Sequence, residues 1–301
     1  MLISHFRYLP RHDIALLCTL TKVYLNEIRL PALIRTAFGH NYEIERMDLT
    51  NKLYKVFLIA GSEPLGTAGM QADIKSVSAC GGYAAGAITC IVDEDTIKVK
   101  SIHTIPPKMV TDQAYSFLED VGADCIKTGM LYSKELVVAI GEVIKKQSIP
   151  VVIDPVMVSS AGDKLLQDDA IQAYKDCLFP YSTIITPNRR EADLLLGKSL
   201  TKDNMKEYIP ELSKWGNCVI VKSIEDGDYL IDVFYNPASK CFKLYKKARI
   251  QTKNVNGTGD TFASSIATYL ARGYDMNTAV DKAENFIYNA ILYGSNVKFG
   301  S

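Results

Sequence analysis

The feature of this 301-residue chain that most limits its fold is a regular alternation of short apolar runs and helical patterns, which begins at Lys55. The runs are rich in Val, Ile and Cys and are apolar at nearly every position, which is typical of strands buried on both faces of a sheet. Strands that alternate with helices form a parallel sheet covered by helices on both sides. We therefore predict an α/β fold of three layers with a mostly parallel central sheet.

The pattern also predicts where each element lies. The predicted strands are Lys55–Ala60, Gly86–Val92, Asp124–Lys127, Pro150–Asp154, Ser182–Thr186 and Cys218–Lys222. The predicted helices are Ala68–Cys80, Lys108–Val121, Ser133–Lys146, Asp168–Leu178, Lys202–Trp215, Asp260–Arg272 and Asn277–Tyr293. Two further runs, Tyr229–Phe234 and Cys241–Tyr245, flank a turn sequence and predict a hairpin late in the chain.

Composition excludes several classes of protein. The 34 Lys and Arg residues balance 34 Asp and Glu residues, so the chain has no excess positive charge with which to hold nucleic acid. No apolar run reaches the ~18–20 residues that a membrane helix needs. Seven scattered cysteines without a CxxC pair indicate reduced thiols in a cytoplasmic protein. We expect neither a nucleic acid nor a membrane as partner.

The first 46 residues differ in character from the rest, with an excess of basic side chains and leucines at roughly helical spacing. A signal peptide is a poor interpretation, because the apolar run Ile14–Leu20 is short and follows Asp13. An appended helix, an organelle-targeting stretch and a start codon placed too early remain open. We favour the last, since Met47 is a plausible domain start. The expected domains are an extension over 1–46 and one domain over 47–301.

The sharpest motif is the segment 256–261 (NGTGDT), which runs directly into a predicted helix. The glycines let the backbone approach a ligand closely, and the free amides of Gly257, Thr258 and Gly259 at the helix start form a hole for an anion. Asp260 would repel a bound phosphate, but it suits a base that takes a proton from a hydroxyl attacking phosphorus. The alternative is a carboxylate that only offsets the helix dipole.

A second glycine-rich turn, 61–69 (GSEPLGTAG), follows the first strand. Thr67 stands where a Walker A loop requires lysine, and the GxGxxG dinucleotide pattern is absent. We interpret the segment as a turn over a pocket. In the following helix, Asp73 could offset the helix dipole or face the pocket and bind a polar substrate.

Three further strand ends carry polar residues that suit phosphate or a cation. Asp154 ends a buried strand before a proline, and Lys222 ends another strand, where it could neutralise a phosphate. Asn188 and Glu191 share one face of a helix start and could hold magnesium with its waters. The alternatives are a capping box for Asn188 and Glu191 and a surface position for Lys222. Together the motifs predict a phosphotransferase without a P-loop.

The order of the motifs AGSEPLGTAGMQADIKS, KTGML, DPVMVSSAGDKLL, TPNRREADLL and NGTGDTFASSIA resembles the ribokinase-like superfamily. Within it the chain is most similar to the hydroxymethylpyrimidine/phosphomethylpyrimidine kinases, with the pyridoxal kinases next. The resemblance covers residues 55 to the C-terminus. It implies a ribokinase-like fold, ATP and Mg²⁺ as cofactors, and a homodimer. The implied reaction is phosphorylation of the hydroxymethyl group of 4-amino-5-hydroxymethyl-2-methylpyrimidine, with its monophosphate as a further acceptor.

The resemblance also implies a role for each matching residue. Asp260 would be the base, and the amides of 257–260 would stabilise the transferring phosphoryl group. Asn188 and Glu191 stand at the magnesium and phosphate motif, with Asp154 and Lys222 beside the ATP phosphates. The positions that line the pyrimidine pocket in relatives are Gly61, Asp73, Glu94, Met130 and Val156.

Departures from the family pattern leave the substrate open. Glu94 stands where the pyrimidine kinases place a ring-binding glutamine, and an ionised carboxylate accepts hydrogen bonds but donates none. Asp260 follows GTG where those kinases commonly have cysteine. The glycine-rich turn is altered at Glu63, Pro64, Leu65 and Thr67. A pyridoxal or pyridoxine kinase of vitamin B6 salvage is the first alternative. A non-catalytic relative that senses a ligand is the second.

Overall fold

A nine-stranded sheet forms the centre of the computed structural model, which describes residues 52–158, 166, 169–252 and 255–294. Its strands are β1 Lys55–Ser62, β2 Tyr83–Glu94, β3 Val99–Thr104, β4 Cys125–Thr128, β5 Val151–Ile153, β6 Ile184–Ile185, β7 Cys218–Asp226, β8 Tyr229–Asn236 and β9 Cys241–Ala248. Their order across the sheet is β3-β2-β1-β4-β5-β6-β7-β8-β9.

The helices surround this sheet. They are α1 Gly69–Ala79, α2 Pro107–Asp120, α3 Lys134–Ile144, α4 Ala170–Ala173, α5 Arg189–Leu196, α6 Met205–Tyr208, α7 Thr258–Ala271 and α8 Met276–Tyr293. A π-helical turn, Tyr174–Leu178, extends α4, and short 3₁₀ helices cover Phe179–Tyr181 and Ile209–Ser213.

The central six strands of the sheet, β2-β1-β4-β5-β6-β7, are parallel. Antiparallel strands cover both edges, with β3 beside β2 and the β8–β9 hairpin beside β7. Strand β1 shows why the sheet needs two helical layers, because its residues alternate between two buried clusters. Phe57 and Ile59 pack on the α2–α6 side, and Val56 and Leu58 pack against α1, α7 and α8. The predicted three-layer α/β fold is confirmed.

Three elements differ from the prediction. Strand β3 was not predicted, because at a sheet edge its side chains are largely exposed and form no apolar run. The helix expected over Lys202–Trp215 is instead α6 followed by a 3₁₀ helix. Pro210 explains the break, since its ring lacks an N–H and clashes with the preceding turn of an α-helix. The short helix α5 was expected only as a helix start at Asn188.

The proposed extension over residues 1–46 lies outside the described residues. Among the helices of the described ranges, none combines the length and apolar character needed to cross a membrane. The cysteines at 80, 90, 125, 177, 218 and 241 are free thiols.

Candidate active site

The candidate site lies at the carboxyl ends of the parallel strands, where the loops after β1, β4, β5 and β6 meet the start of α7. Parallel strands end at one edge of a sheet, so residues far apart in sequence meet there. The structure brings four of the predicted residues, Asp73, Asp154, Lys222 and Asp260, into two polar clusters together with residues that were not predicted. The Asp260 cluster comprises Asp73, Lys127, Asp260 and Ser264, and the Asp154 cluster comprises Asp154, Thr186 and Lys222.

The loop before α7 has the backbone of an anion site. Gly257 caps the helix with φ of 71°, a left-handed conformation that favours glycine, and no side chain caps the first turn. The N–H groups of Gly259 and Asp260 therefore have no acceptor within the helix. Asn256 ties the loop to the glycine-rich turn, since its Nδ2 donates to Thr67 Oγ1 at 2.6 Å. Free amides at a helix start favour a phosphate group.

Asp260 lies in the first turn of α7 with a donor on each carboxylate oxygen. The Gly69 backbone N–H donates to Oδ2 at 3.1 Å, and Lys127 Nζ donates to Oδ1 at 3.1 Å. The side chain is 14% exposed, so the carboxylate is accessible from one side. Each oxygen keeps a lone pair for a further donor. The arrangement suits a carboxylate that accepts a proton from a bound hydroxyl.

Sequence reasoning missed Lys127, although it lies in the quoted motif KTGML. Its Nζ contacts both oxygens of Asp73, at 2.7 and 2.8 Å, and both side chains are fully buried. Burial alone would lower the pKa of Lys127, but the carboxylates of Asp73, Asp260 and Asp154 raise it above its ordinary value. A lysine inside a strand predicted to be buried on both faces was the available signal, because such a cation needs a carboxylate partner.

Asp73 is held between two elements. Besides Lys127, it accepts a hydrogen bond from Ser264 Oγ at 2.6 Å. Burial raises the pKa of Asp73 to about 7, with Lys127 opposing the shift and Asp260 adding to it. Its predicted contact with substrate stays a prediction, and its contacts in this structure are to Lys127 and Ser264.

The Asp154 cluster lies beside Gly259 in the first turn of α7. Lys222 Nζ donates to Asp154 Oδ1 at 3.1 Å, and Thr186 Oγ1 donates to the same oxygen at 2.7 Å. A β-carbon at Gly259 would lie 3.3 Å from Lys222 Nζ and 3.5 Å from Asp154 Oδ2. The missing side chain thus leaves the lysine and the carboxylate beside the free amides. This is the juxtaposition that the predicted binding of ATP phosphates requires.

Asn188 and Glu191 form a complete capping box at the start of α5. Asn188 Oδ1 accepts from the Glu191 N–H at 3.0 Å, and Glu191 Oε2 accepts from the Asn188 N–H at 2.8 Å. Glu191 Oε1 accepts from the Met157 N–H at 3.2 Å. Burial, and next the charge of Asp154, raise the pKa of Glu191 to about 8. The capping alternative is therefore observed, and the role of both residues toward a metal stays a prediction.

The donor set around Glu191 fits magnesium only in a particular way. Within the described ranges, no group of three or more His, Cys, Asp or Glu side chains is placed to hold a metal. Mg²⁺ usually takes one or two carboxylates and fills its other positions with phosphate oxygens and water. Glu191, near Asp154 and Lys222, fits a Mg²⁺ that arrives with a nucleotide.

An apolar cluster lies near the ends of β2 and β4. Cys90, Val92 and Met130 are buried together, and Val156 packs against them. A β-carbon at Gly61 would lie 2.9 Å from Cys90 Sγ and 3.8 Å from Met130 Sδ. Three of the residues predicted to line a pyrimidine pocket, Gly61, Met130 and Val156, therefore meet here.

Glu94 ends β2, two residues beyond Val92 and past an irregularity in the pairing of β2 with β3. It is half-buried. Its predicted contact with substrate stays a prediction.

The glycine-rich turn is organised by its own carboxylate. Glu63 Oε1 accepts from the backbone N–H groups of Thr67, at 2.5 Å, and Ala68, at 2.7 Å, and Oε2 accepts from Gly66 at 3.0 Å and from Leu65. The side chain is only 6% exposed. Because a carboxylate can accept several amides at once, Glu63 fixes the turn that carries Thr67 to the loop before α7. The sequence had indicated Glu63 only as a departure from the family pattern.

Comparison with known proteins identifies the family of this chain. The sequence model of the family described as phosphomethylpyrimidine kinase matches residues 63–301. The chain belongs to the phosphomethylpyrimidine kinase family. The family expected from the motif order is thereby confirmed, and with it the class of small-molecule kinases.

Two individual relatives of this phosphomethylpyrimidine kinase family member support the same family assignment. The thiamine biosynthesis bifunctional protein ThiED of Geobacter sulfurreducens is 38% identical over 78% of this chain and 49% of its own length. The hydroxymethylpyrimidine/phosphomethylpyrimidine kinase of Staphylococcus aureus is 34% identical over 80% of this chain and 89% of its own. The chain thus spans about half the length of the bifunctional relatives.

A solved structure adds a second substrate class to the comparison. The ADP complex of Bacillus subtilis pyridoxal kinase superposes with a TM-score of 0.75 at 29% identity, over 83% of this chain and 96% of that one. The fold of this phosphomethylpyrimidine kinase family member is therefore shared with a kinase named for a pyridine substrate.

Proposed function

We propose that the chain catalyses ATP-dependent phosphorylation of the hydroxymethyl group of 4-amino-5-hydroxymethyl-2-methylpyrimidine, and then of the resulting monophosphate, in thiamine biosynthesis. The observation that carries the proposal is the position of Asp260. Its carboxylate lies in the first turn of α7, beside the uncapped helix amides, with Lys127 and the Gly69 N–H as donors. Family membership and the similarity to the S. aureus enzyme support the same reaction.

Each residue of the site has a separate role in the proposed reaction. Asp260 accepts the proton of the acceptor hydroxyl while that oxygen forms its bond to phosphorus and the bond from phosphorus to the ADP oxygen breaks. The amides of 257–260 bind the oxygens of the transferring phosphoryl group, and Lys222 neutralises charge beside them. Asn188 and Glu191 would hold Mg²⁺, which supplies further charge neutralisation when it is bound with ATP. The ADP in the B. subtilis complex supports ATP as donor.

A pyridoxal kinase activity is the second candidate, favoured by Glu94. A glutamine at this position can both donate to and accept from a pyrimidine with an exocyclic amine, whereas an ionised glutamate only accepts. The similarity to the B. subtilis pyridoxal kinase supports the same alternative. Within either candidate, the homodimer and the cytoplasmic location stay predictions, and sedimentation analysis of the purified chain tests the first of them.

The deciding experiment measures ADP release with Mg-ATP and, separately, hydroxymethylpyrimidine, its monophosphate and pyridoxal. Turnover of the two pyrimidines, abolished in Asp260→Asn, is the expected result. Turnover of pyridoxal alone would replace the proposal with vitamin B6 salvage. Binding of ATP without turnover of any of the three acceptors would favour a protein that senses a ligand.

A further inference from the structure

Lys127 of β4 contacts the proposed base directly, and no motif assigned it a role. Its Nζ lies 3.1 Å from Asp260 Oδ1 and 2.7 and 2.8 Å from the two oxygens of Asp73. We propose that Lys127 is a positioning residue, whose ammonium holds the Asp260 carboxylate aimed at the acceptor hydroxyl, with Asp73 as its counterion. The inference rests on the proposed function, because it deepens the role given there to Asp260.

The donors of Lys127 argue for positioning rather than contact with substrate. An ammonium group has three N–H donors, and the three carboxylate oxygens of Asp73 and Asp260 occupy them. The side chain is fully buried. Lys127 therefore acts through Asp260 and leaves the binding of phosphate to Lys222 and the helix amides.

The contacts form a chain that begins and ends on one helix face. Ser264 Oγ donates to Asp73, Asp73 pairs with Lys127, and Lys127 pairs with Asp260. Asp260 and Ser264 are four residues apart on α7, so they lie on the same face of that helix. Helix α1 contributes Asp73 and, through the Gly69 N–H, the second donor to Asp260. The orientation of the base is thus set by α1 and β4 as well as by its own helix.

A purely structural ion pair would not need this arrangement. Two contacts to Asp73 already pair the buried cation, and burying a further carboxylate beside it adds a desolvation cost. Gly129 lies next to this contact and has no side chain to crowd it. A β-carbon there would lie 3.0 Å from Lys127 Nζ and 3.6 Å from Asp260 Oδ1. The Lys127–Asp260 contact is therefore bordered by a residue without a side chain at the end of β4.

The test compares wild type with Asp73→Asn, with the double variant Lys127→Met/Asp73→Asn, and with Thr268→Val. The double variant removes both charges together, since Lys127→Met alone would leave a buried carboxylate unpaired and could prevent folding. Thr268 is a matched control, because it makes a buried hydrogen bond to the Ser264 carbonyl on the same helix without touching Asp260. The readouts are kcat and KM for each substrate and the orientation of the Asp260 carboxylate in crystal structures of the variants.

We expect kcat to fall about tenfold or more in the double variant while KM for ATP changes by less than about twofold. In its crystal structure the Asp260 carboxylate should have left the orientation that Lys127 gives it in wild type. Asp73→Asn keeps the Lys127–Asp260 contact and should lose less kcat, and Thr268→Val should match wild type. An unmoved Asp260 carboxylate or an unchanged kcat in the folded double variant would overturn the proposal. Absent turnover in wild type contradicts the proposed function instead, and the crystal structures still decide the role of Lys127.

Discussion

Gly257 and Thr67 meet through their backbones so closely that a β-carbon at Gly257 would lie 1.7 Å from the carbonyl oxygen of Thr67. Gly257 also has φ of 71°, a conformation that strains other residues. The neighbouring Asn256 donates to the Thr67 hydroxyl. The loop that starts the helix of the proposed base and the turn that follows β1 are therefore joined at a contact that only glycine permits.

This contact predicts the effect of Gly257→Ala. The new methyl group must push the two loops apart, and the first-turn amides of α7 and Asp260 move with them. We expect kcat/KM to fall by about 100-fold or more, since small displacements of reacting groups cost this much. Steady-state kinetics and urea unfolding of the variant measure the two effects separately.

Gly227→Ala is the matched control for the strain of positive φ. Gly227 has φ of 61°, and a β-carbon there would have open space around it. We expect it to lose about 1 kcal/mol of stability and no activity. Equal activities of the two alanine variants would contradict a role for the Gly257–Thr67 contact.

Asp260→Asn tests the base itself. The amide keeps the shape of the side chain but accepts no proton, so we expect kcat to fall by about 10²- to 10⁴-fold. The affinity for ATP should change by less than about threefold, because the helix amides and Lys222 remain. Asp275→Asn makes the same chemical change at the first residue before α8, where asparagine also caps a helix well. We expect wild-type activity in Asp275→Asn. Equal losses of kcat in both variants would contradict the assignment of Asp260 as the base.

The clustering of the polar residues at the strand ends was predictable, because parallel strands end at one edge of the sheet. Asp154, Lys222 and Asp260 were expected there from the alternation of elements alone, and the structure brings Lys222 to Asp154 and places Gly259 beside both. Gly61, Met130 and Val156 followed only from the resemblance to a family, since a glycine, a methionine and a valine carry no chemical signal of their own.

Pairings across the sheet were not predictable from the sequence. Lys127 and Asp73 are 54 residues apart, and their contact depends on how α1 packs over β1 and β4. The role of Glu63 depends on the conformation of a turn whose amides converge on one carboxylate. Both residues looked like interruptions of a pattern, an ion in an apolar strand and a deviation in a glycine-rich turn. The sequence could mark them as unusual without naming their partners.

Glu63→Gln tests how much the glycine-rich turn depends on the Glu63 carboxylate. An amide cannot accept all the N–H groups of the turn, because its NH₂ group would face donors. We expect a loss of about 1–3 kcal/mol in the free energy of unfolding, measured with urea, and a higher KM for the acceptor. Glu225→Gln is the control, since Glu225 is exposed and pairs with Arg249 at the surface. A loss no larger than the control's, about 0.5 kcal/mol, would contradict this role.

Glu284 predicts a pH dependence of stability at the junction of α8 with the β8–β9 hairpin. The side chain is 2% exposed and pairs with Lys247 near the half-buried Asp232. Burial, and next the charge of Asp232, raise its pKa from 4.5 to about 8. The folded protein holds the proton of Glu284 more tightly than the unfolded chain does. The contribution of protonated Glu284 to the free energy of unfolding is therefore complete below about pH 4.5 and is lost as the pH rises through about 8.

Glu284→Gln removes this loss, because the amide stays neutral at every pH. The variant should therefore gain stability relative to wild type between pH 5 and pH 8, by about 1.4 kcal/mol or more, the equivalent of one pKa unit. Urea unfolding at both pH values measures the gain. Glu211→Gln, whose pair with Lys198 is exposed, should show the same small offset at both pH values. A difference between Glu284→Gln and wild type that stays constant from pH 5 to pH 8 would show that Glu284 is ionised in the folded protein throughout, with Lys247 outweighing burial.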